Sequence, residues 1–266
     1  MINLGTALIT GASSGIGRVY ADRLAHRGYN LLLVARDVAR LEEVATRLRR
    51  ETDCTVEVLP ADLTDRAEVA KIEARLAGDA DISMLINNAG MSLTGSLLDS
   101  EIDIVEKLIA LNVTATTLLA GAAARAFNDR GRGAIINLSS VLALAPEAFD
   151  GVYSGSKAFV LNLSMSLAAQ LASTGVRIQA VLPGATRTEI WARSGKDVDA
   201  FPSDMVMEVE DLVDAALAGF DMGESVTIPP LADEGLWQTM TKARLAIQPH
   251  MSRREAAGRY RVPAGS

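Results

Sequence analysis

The sequence carries several short motifs whose residue types and spacing could bind or transform a small molecule. The first is the glycine-rich stretch TGASSGIG at residues 10–17, which lies between an apolar run and a helical pattern. Glycine lets the backbone turn tightly and approach a pyrophosphate, whose charge is stabilised at a helix N-terminus. The spacing G-x-x-x-G-x-G differs from the common G-x-G-x-x-G fingerprint, and a strand-to-helix turn that binds nothing is the alternative explanation of this motif taken alone.

Further polar and glycine-containing motifs follow along the chain. They are NNAG at residues 87–90, Ser139 with Ser140, Tyr153 with Lys157, and PG at 183–184 followed by Thr186 and Thr188. Tyr153 and Lys157 are four residues apart in a helical pattern and therefore share one face of the helix. Each motif alone also has a structural explanation: a surface Tyr–Lys pair, a serine that caps a turn, or an asparagine such as Asn112 satisfied between two helices.

The hydrophobic periodicity alternates short apolar strands with longer helices. We predict strands at residues 6–10, 31–34, 55–59, 84–87, 134–138, 176–182 and 225–228. We predict helices at residues 15–28, after a cap at Asp37, and at 64–77, 101–129, 152–174 and 211–220. Unbroken apolar strands separated by helices are typical of a parallel sheet covered on both faces. The predicted fold class is therefore α/β: a single-domain, Rossmann-like, doubly wound parallel sheet of about seven strands, with ligands bound after the carboxyl ends of the strands.

The length of 266 residues fits one large domain with an appendage. We predict a domain at residues 1–240, including a substrate-loop region at 185–230, and a basic tail at 241–266. Residues 197–235 contain eleven acidic residues and no Lys or Arg, whereas residues 241–266 contain six basic residues and one acidic residue. Two solvated segments would explain this division, and so would a tail that folds back or crosses a subunit interface to pair with the acidic segment.

Composition argues against several classes of protein. A net charge of −7 and an aromatic content of 4% are unfavourable for a nucleic-acid-binding surface. One cysteine, Cys54, and two histidines argue against a metal site. Residues 108–124 and 158–176 are free of charge but contain too many polar residues for a membrane span, so we expect them in a core or a subunit interface. No signal peptide is predicted, and we expect a cytoplasmic protein without membrane or nucleic-acid partners.

Taken together, the motifs resemble those of the short-chain dehydrogenase/reductase family in its standard single-domain form. TGxxxGIG, NNAG, Ser–Tyr-x-x-x-Lys and PG occur in this order, and the resemblance covers about residues 4–190. It implies that Tyr153 is the general acid/base and that Lys157 stabilises its phenolate and holds the nicotinamide ribose. Ser140, thirteen positions before Tyr153, would orient the substrate oxygen, and Asn112 would hold a proton-relay water.

The resemblance also implies an NAD(P)-binding site, and Arg36 indicates which cofactor it takes. Family members that prefer NAD usually carry an acid at this position after the second strand, whereas a guanidinium can pair with the 2′-phosphate of NADP. NADP is therefore favoured over NAD, although the adjacent Asp37 could contact ribose instead of capping a helix. The other expected cofactor-binding residues are Gly11, Ser13, Ser14, Gly15, Ile16, Gly17, Asp62, Leu63, Asn88, Ala89, Gly90, Tyr153, Lys157, Pro183, Gly184, Thr186 and Thr188.

The expected activity is NADP-dependent interconversion of a carbonyl and an alcohol by hydride transfer, on a small-molecule substrate and without a metal. The family resemblance implies a homodimer or homotetramer formed through the helices at 101–129 and 152–174. One alternative is a non-catalytic NADP-binding sensor on the same fold, which would be expected to lack Tyr153, Lys157 or Ser140. Another is a sugar-nucleotide epimerase or dehydratase, which would carry a G-x-x-G-x-x-G turn and a larger C-terminal domain.

Overall fold

A computed structural model describes residues 4–195 and 197–260 and places seven parallel strands in one sheet. The strands are β1 (Thr6–Thr10), β2 (Asn30–Ala35), β3 (Val56–Pro60), β4 (Ile82–Asn87), β5 (Gly133–Leu138), β6 (Val176–Val181) and β7 (Val226–Thr227). Their order in the sheet is β3-β2-β1-β4-β5-β6-β7, and each neighbouring pair is parallel. This confirms the predicted doubly wound α/β fold, whose strand order reverses between β1 and β4.

Helices connect the strands and cover both faces of the sheet. They are α1 (Gly15–His26), α2 (Val38–Glu51), α3 (Arg66–Gly78), α4 (Ile102–Ile109), α5 (Thr116–Arg130), α6 (Gly151–Gln170), the short α7 (Ile190–Arg193) and α8 (Val209–Met222). Aspartates cap several N-termini: Asp37 accepts a hydrogen bond from Arg40 N, and Asp65 accepts one from Ala67 N. The carboxylate stabilises amide groups that have no partner within the helix.

Alternation along the strands creates two separate cores. Ile9 and Leu33 face one side of the sheet, where they pack with residues of α1, α2 and α8. Leu8 and Leu32 face the other side, where they pack with residues of α3 and α5. Neighbouring side chains of a strand point to opposite faces, so an unbroken apolar run is needed to fill both cores.

The stretch predicted as one helix at residues 101–129 contains a π-helical segment. The α-helical hydrogen-bonding pattern gives way at Ala110–Ala115, between α4 and α5, and this segment carries Asn112. The whole stretch Ile102–Arg130 is long and apolar enough to cross a membrane by length and composition. Half of its most apolar window is buried within the protein, however, and α5 packs against α3 and the sheet, as expected of a helix that covers a core.

Other predicted boundaries shift by a few residues. α3 begins at Arg66 after its Asp65 cap rather than at Thr64, and α6 ends at Gln170 rather than at Thr174. Residues 231–260 belong to a second compact unit, separate from the unit that ends at Pro230. Its helix α9 (Glu234–Ile247), which the sequence analysis does not predict, is capped by Asp233 and spans the predicted boundary between residues 240 and 241. None of the residues of α9 is buried, so this helix contributes no side chain to a hydrophobic core.

The packing of α3 against the sheet gives a prediction about stability. Leu76 is fully buried in the core beside α5, whereas Leu98 is 94% exposed. Leu76→Ala should lower the free energy of unfolding by about 3 kcal/mol, because it leaves a cavity in a packed core. Leu98→Ala, the matched control, should change it by less than about 0.5 kcal/mol. Urea denaturation followed by circular dichroism measures both, and equal losses in the two variants would contradict this assignment of the core.

Candidate active site

The predicted functional motifs converge at the carboxyl edge of the sheet. The glycine-rich turn follows β1, the NNAG motif follows β4, Ser140 follows β5 and Pro183 follows β6. Because these strands are parallel neighbours, their ends meet at one edge, at the point where the strand order reverses. The crossover helices therefore place side chains from distant parts of the sequence in one cleft.

The turn between β1 and α1 is tight and is tied to the segment after β4. Gly15 has a φ of +51°, a left-handed conformation that favours glycine. A Cβ on Gly17 would collide with the carbonyl oxygen of Gly11 and with Asn88 Nδ2. Asn88 Nδ2 donates to the carbonyl oxygen of Thr10 at 2.9 Å. The turn is thus held open at the N-terminus of a twelve-residue helix, where an anionic group is stabilised.

Thr10 extends this connection between the two segments. Its hydroxyl donates to the carbonyl oxygen of Ile86 and accepts hydrogen bonds from the amides of Asn88 and Ala89, each at 3.0 Å. One buried hydroxyl thereby fixes the NNAG backbone beside the glycine-rich turn. A Cβ on Gly90 would stand 3.4 Å from Lys157 Nζ, so the motif also borders the α6 site.

Lys157 is the buried cation of the site. Its Nζ donates to the carbonyl oxygen of Leu138 at 2.9 Å, and Ser139 Oγ donates to the Lys157 carbonyl oxygen at 2.7 Å. Loss of hydration lowers the pKa of Lys157 to about 8. Ser139 thus anchors the helix that carries the lysine.

Tyr153 lies one turn before Lys157, and Lys157 Nζ is 5.7 Å from the centre of its ring. Burial raises the pKa of Tyr153 to about 12, and a hydrogen bond with Ser140 opposes this rise. The direction is opposite to the lysine-assisted lowering that the family resemblance implies, because desolvation of the phenolate outweighs the other contributions. The phenol is therefore protonated at neutral pH.

Ser140 and the start of α6 complete this group. Ser140 Oγ accepts a hydrogen bond from Leu142 N at 3.2 Å and lies 3.5 Å from the carbonyl oxygen of Pro183. Asp150 caps α6 by accepting from Val152 N and Tyr153 N. The sequence reading missed Asp150, although an aspartate directly before a helical pattern is a recognisable cap. The cap fixes the backbone of Tyr153 against the strand end that carries Ser140.

Asn112 reaches the same site from the π-helical segment. Its Oδ1 accepts from Met91 N at 2.9 Å, and its Nδ2 donates to the Met91 carbonyl oxygen and to Ser156 Oγ. Ser156 Oγ in turn donates to the carbonyl oxygen of Tyr153 at 2.7 Å. Asn112 therefore connects the segment after β4 with the helix of the tyrosine, and its side-chain amide is satisfied within the protein.

Arg36 and Asp62 lie at the other end of the cleft, after β2 and β3. Arg36 is 73% exposed, and its Nη1 is 3.9 Å from Asp62 Oδ2. Asp62 also accepts from the amide and hydroxyl of Thr64, and Leu63 is buried. Asp37 caps α2, as the sequence allowed, which leaves Arg36 as the charged side chain available to a ligand at this position.

The segment after β6 closes the remaining side. Pro183 accepts a hydrogen bond from Val141 N, and Thr186 Oγ1 donates to the carbonyl oxygen of Gly184. Thr188 lies against the glycine-rich turn: a Cβ on Gly15 would stand 3.4 Å from its Cγ2. The remaining predicted residues of the turn, Ser13, Ser14 and Ile16, are half-buried there.

The protein has two tryptophans, Trp191 and Trp237. Trp191 packs against Phe201 with ring centres 5.1 Å apart, and its Nε1 donates to the carbonyl oxygen of Thr186. Trp237 lies in α9, in the second unit. Within residues 4–195 and 197–260, no group of three or more His, Cys, Asp or Glu side chains is arranged to hold a metal ion.

Comparison with known proteins identifies relatives along most of the chain. A short-chain dehydrogenase from Sphingobium yanoikuyae, solved in complex with NADPH, matches with a TM-score of 0.94 at 51% identity, over 97% of this chain and 100% of that one. The bulky-bulky ketone specific alcohol dehydrogenase from Comamonas testosteroni matches with a TM-score of 0.90 at 46% identity, over 97% of this chain and 99% of that one.

A human relative is more distant and longer. Human 17-beta-hydroxysteroid dehydrogenase type 3 is 36% identical over 184 residues, which are 68% of this chain and 59% of the human protein. The family model for short chain dehydrogenases matches residues 5–199, the part of the chain that builds the sheet edge and its cleft. On the strength of this match and of the strand order and motifs that accompany it, the chain belongs to the short-chain dehydrogenase family.

Proposed function

We propose that this protein is an NADP-dependent oxidoreductase that interconverts a ketone or aldehyde and an alcohol. The observation that carries the proposal is the grouping of three side chains at the edge of the sheet: Tyr153 hydrogen-bonds with Ser140, and the buried Lys157 Nζ lies 5.7 Å from the centre of the Tyr153 ring. A non-catalytic NADP sensor would have no use for a proton donor held in this way. The intact group of three side chains therefore favours an enzyme over the sensor.

The residues of the cleft fit a nicotinamide dinucleotide. The tight turn at Gly15 and Gly17 leads into the N-terminus of α1, where the charge of a pyrophosphate would be stabilised. An ammonium group has three N–H donors, and the Lys157 hydrogen bond to Leu138 uses one, which leaves two for ribose hydroxyls. Arg36, exposed after β2, can pair with a 2′-phosphate. The relative from Sphingobium yanoikuyae, solved with NADPH, supports the same cofactor.

In this mechanism the bound nicotinamide supplies the hydride for carbonyl reduction or accepts it during alcohol oxidation. Ser140 donates a hydrogen bond to the substrate oxygen and stabilises the negative charge that develops there. The Tyr153 hydroxyl gives its proton to that oxygen during reduction and takes it back during oxidation. The charge of Lys157 stabilises the phenolate that remains, and Asn112 keeps the backbone at Met91 and the start of α6 in position.

We further propose that the substrate is a ketone with bulky apolar substituents. Phe149 stands edge-on to Tyr153 with ring centres 5.7 Å apart, which places an aromatic surface beside the proton donor. Trp191 and Phe201 add a second aromatic pair on the chain that follows Thr188. The relatives that act on a bulky ketone and on a hydroxysteroid support this class of substrate.

We propose a cytoplasmic homodimer or homotetramer, assembled through the faces of α4, α5 and α6. Ile102 and Ile109 are exposed on α4, and Phe159 is exposed on α6. The exposed face of α6 carries no charged side chain from Ala158 to Gln170. Apolar side chains on helices without charge are typical of surfaces that become buried between subunits.

The role of Tyr153 can be tested with its closest apolar analogue. Tyr153→Phe should lower kcat for NADPH-dependent reduction of a bulky ketone by about 100-fold or more, since it removes the proton donor. NADPH binding should be retained, because the aromatic ring is preserved. A substrate panel followed through NADPH absorbance measures turnover, and fluorescence titration measures binding. Full turnover in Tyr153→Phe would overturn the mechanism, and a wild-type protein that binds NADPH but reduces nothing would favour the sensor.

The cofactor assignment depends on Arg36. Arg36→Ala should raise the Kd for NADPH by about 10-fold or more while changing that for NADH little, because only NADPH carries the 2′-phosphate. Arg50→Ala is the matched control, since Arg50 is an equally exposed arginine on α2, and it should change neither constant. Isothermal titration calorimetry gives both values. Equal losses for the two nucleotides would remove the basis for the NADP assignment.

The low pKa of Lys157 predicts a pH dependence of cofactor binding. A buried lysine with a pKa of about 8 is charged below that pH and loses its charge as the pH rises through it. The Kd for NADPH should therefore increase from pH 7 to pH 9.5, since the neutral amine is a weaker donor to ribose. Lys157→Met should bind more weakly at pH 7 and show no such increase. A wild-type Kd that stays constant over this range would contradict the prediction.

A further inference from the structure

The chain between β6 and α7 crosses the cofactor cleft, and both of its ends are tied down. We call residues 185–190 the strap. At its near end, Met207 N donates to the Ala185 carbonyl oxygen at 2.9 Å, and Arg187 N donates to the Met207 carbonyl oxygen at 3.0 Å. The Arg187 guanidinium also pairs with Asp199 and Glu208, at 2.6 and 3.0 Å. The near end is thus fixed to the chain that leads into α8.

The far end of the strap is tied to α2 by an ion pair. Arg40 Nη1 donates to both carboxylate oxygens of Glu189, at 3.0 and 2.8 Å, although the two residues are 149 positions apart. Arg40 lies in the first turn of α2, where its amide also donates to Asp37. It stands four residues after Arg36, the residue proposed to meet the 2′-phosphate. No sequence pattern predicts this contact, because neither residue belongs to a motif.

Between its two ties the strap passes over the glycine-rich turn. Thr188, the residue before Glu189, lies against Gly15, where the pyrophosphate is proposed to sit. The strap therefore extends from the end of β6, past the glycine-rich turn, to α2 beside Arg36. A pyrophosphate bound at this turn would therefore lie next to the strap.

We propose that the Arg40–Glu189 ion pair holds the strap closed over the dinucleotide, so that Glu189 is a positioning residue that slows release of the cofactor. The inference rests on the proposed function, since it requires a nucleotide in the cleft. Both side chains are about half exposed, so the pair is worth little by itself and can open without unfolding. Such a pair suits a latch that must release the nucleotide in every catalytic cycle.

The strap role differs from direct binding of the 2′-phosphate by Arg40. If the pair closes a strap, its loss accelerates release of NADPH and NADH alike. If Arg40 binds the phosphate instead, its loss affects NADPH alone, and removal of Glu189 frees Arg40 and tightens NADPH. Glu189→Gln separates the two roles, because it removes the charge and retains the shape of the side chain.

Release of each nucleotide can be measured by stopped-flow fluorescence, with excess oxidised cofactor added to trap the empty protein. Glu189→Gln and Arg40→Gln should each accelerate release of NADPH and of NADH by about two- to five-fold, as expected for loss of an exposed ion pair. The double variant should be no faster than either single variant, because both remove the same interaction. Glu42→Gln, which breaks the exposed Arg49–Glu42 pair on the same helix, is the matched control and should leave release unchanged.

The salt dependence of nucleotide release and the hydrogen exchange of the strap amides provide two independent tests of the ion pair. Release from the wild type should accelerate as salt rises from about 50 to about 500 mM, while Glu189→Gln should respond less, because salt screens an exposed ion pair. In the protein without nucleotide, amides of the strap should exchange faster in Glu189→Gln than in the wild type or in Glu42→Gln.

Three results would overturn the strap proposal. The first is unchanged release in Glu189→Gln, whatever the amide exchange shows. The second is an effect on NADPH alone, which would make Arg40 a phosphate ligand. The third is a wild-type protein that binds neither nucleotide, which would also overturn the proposed function. In that case the exchange measurement still reports whether the ion pair orders residues 185–190, so the two failures are distinguishable.

Discussion

The burial of the Lys157 ammonium is the interaction on which the rest of the site depends. A charge removed from water is costly unless hydrogen bonds replace its hydration, and here the carbonyl oxygen of Leu138 provides one of them. Leu138 is the last residue of β5, so this carbonyl oxygen lies at the carboxyl end of the strand. The position of the lysine is therefore coupled to the end of a strand, and Ser139 ties the two together again from the other side.

The same burial shifts the pKa values of Lys157 and Tyr153 in opposite directions. Desolvation disfavours charge on both side chains, so it lowers the pKa of Lys157 and raises that of Tyr153. At neutral pH Tyr153 is therefore protonated and lies beside Lys157, an ammonium group whose pKa is lowered to about 8. Nucleotide and substrate would complete this environment, since ribose hydroxyls and a substrate oxygen are natural partners for the remaining donors. The site is thus pre-organised by the fold and tuned by what enters it.

Sequence patterns were most reliable where one local rule decided the structure. Short runs rich in apolar residues located the seven strands, because a strand inside the sheet must fill a core on both of its faces. Helix ends were less certain, because the choice between Thr64 and Asp65 as a cap depends on which side chain reaches an amide. The hydrophobic periodicity did not predict the π-helical segment around Asn112, since the apolar residues there still follow the pattern of a continuous helix. The helix α9 was missed because it buries nothing.

The sequence by itself determined the family, the parallel α/β sheet and the identity of the residues at its carboxyl edge, because motif spacing and apolar periodicity are local properties of the chain. Only the tertiary structure decided how those residues are charged and what holds them. The pKa of Tyr153 is raised, not lowered as the family resemblance implies, because the folded chain buries its phenol. The Arg40–Glu189 pair joins residues 149 positions apart. Desolvation and long-range contacts depend on the whole packing of the chain, so no local pattern can specify them.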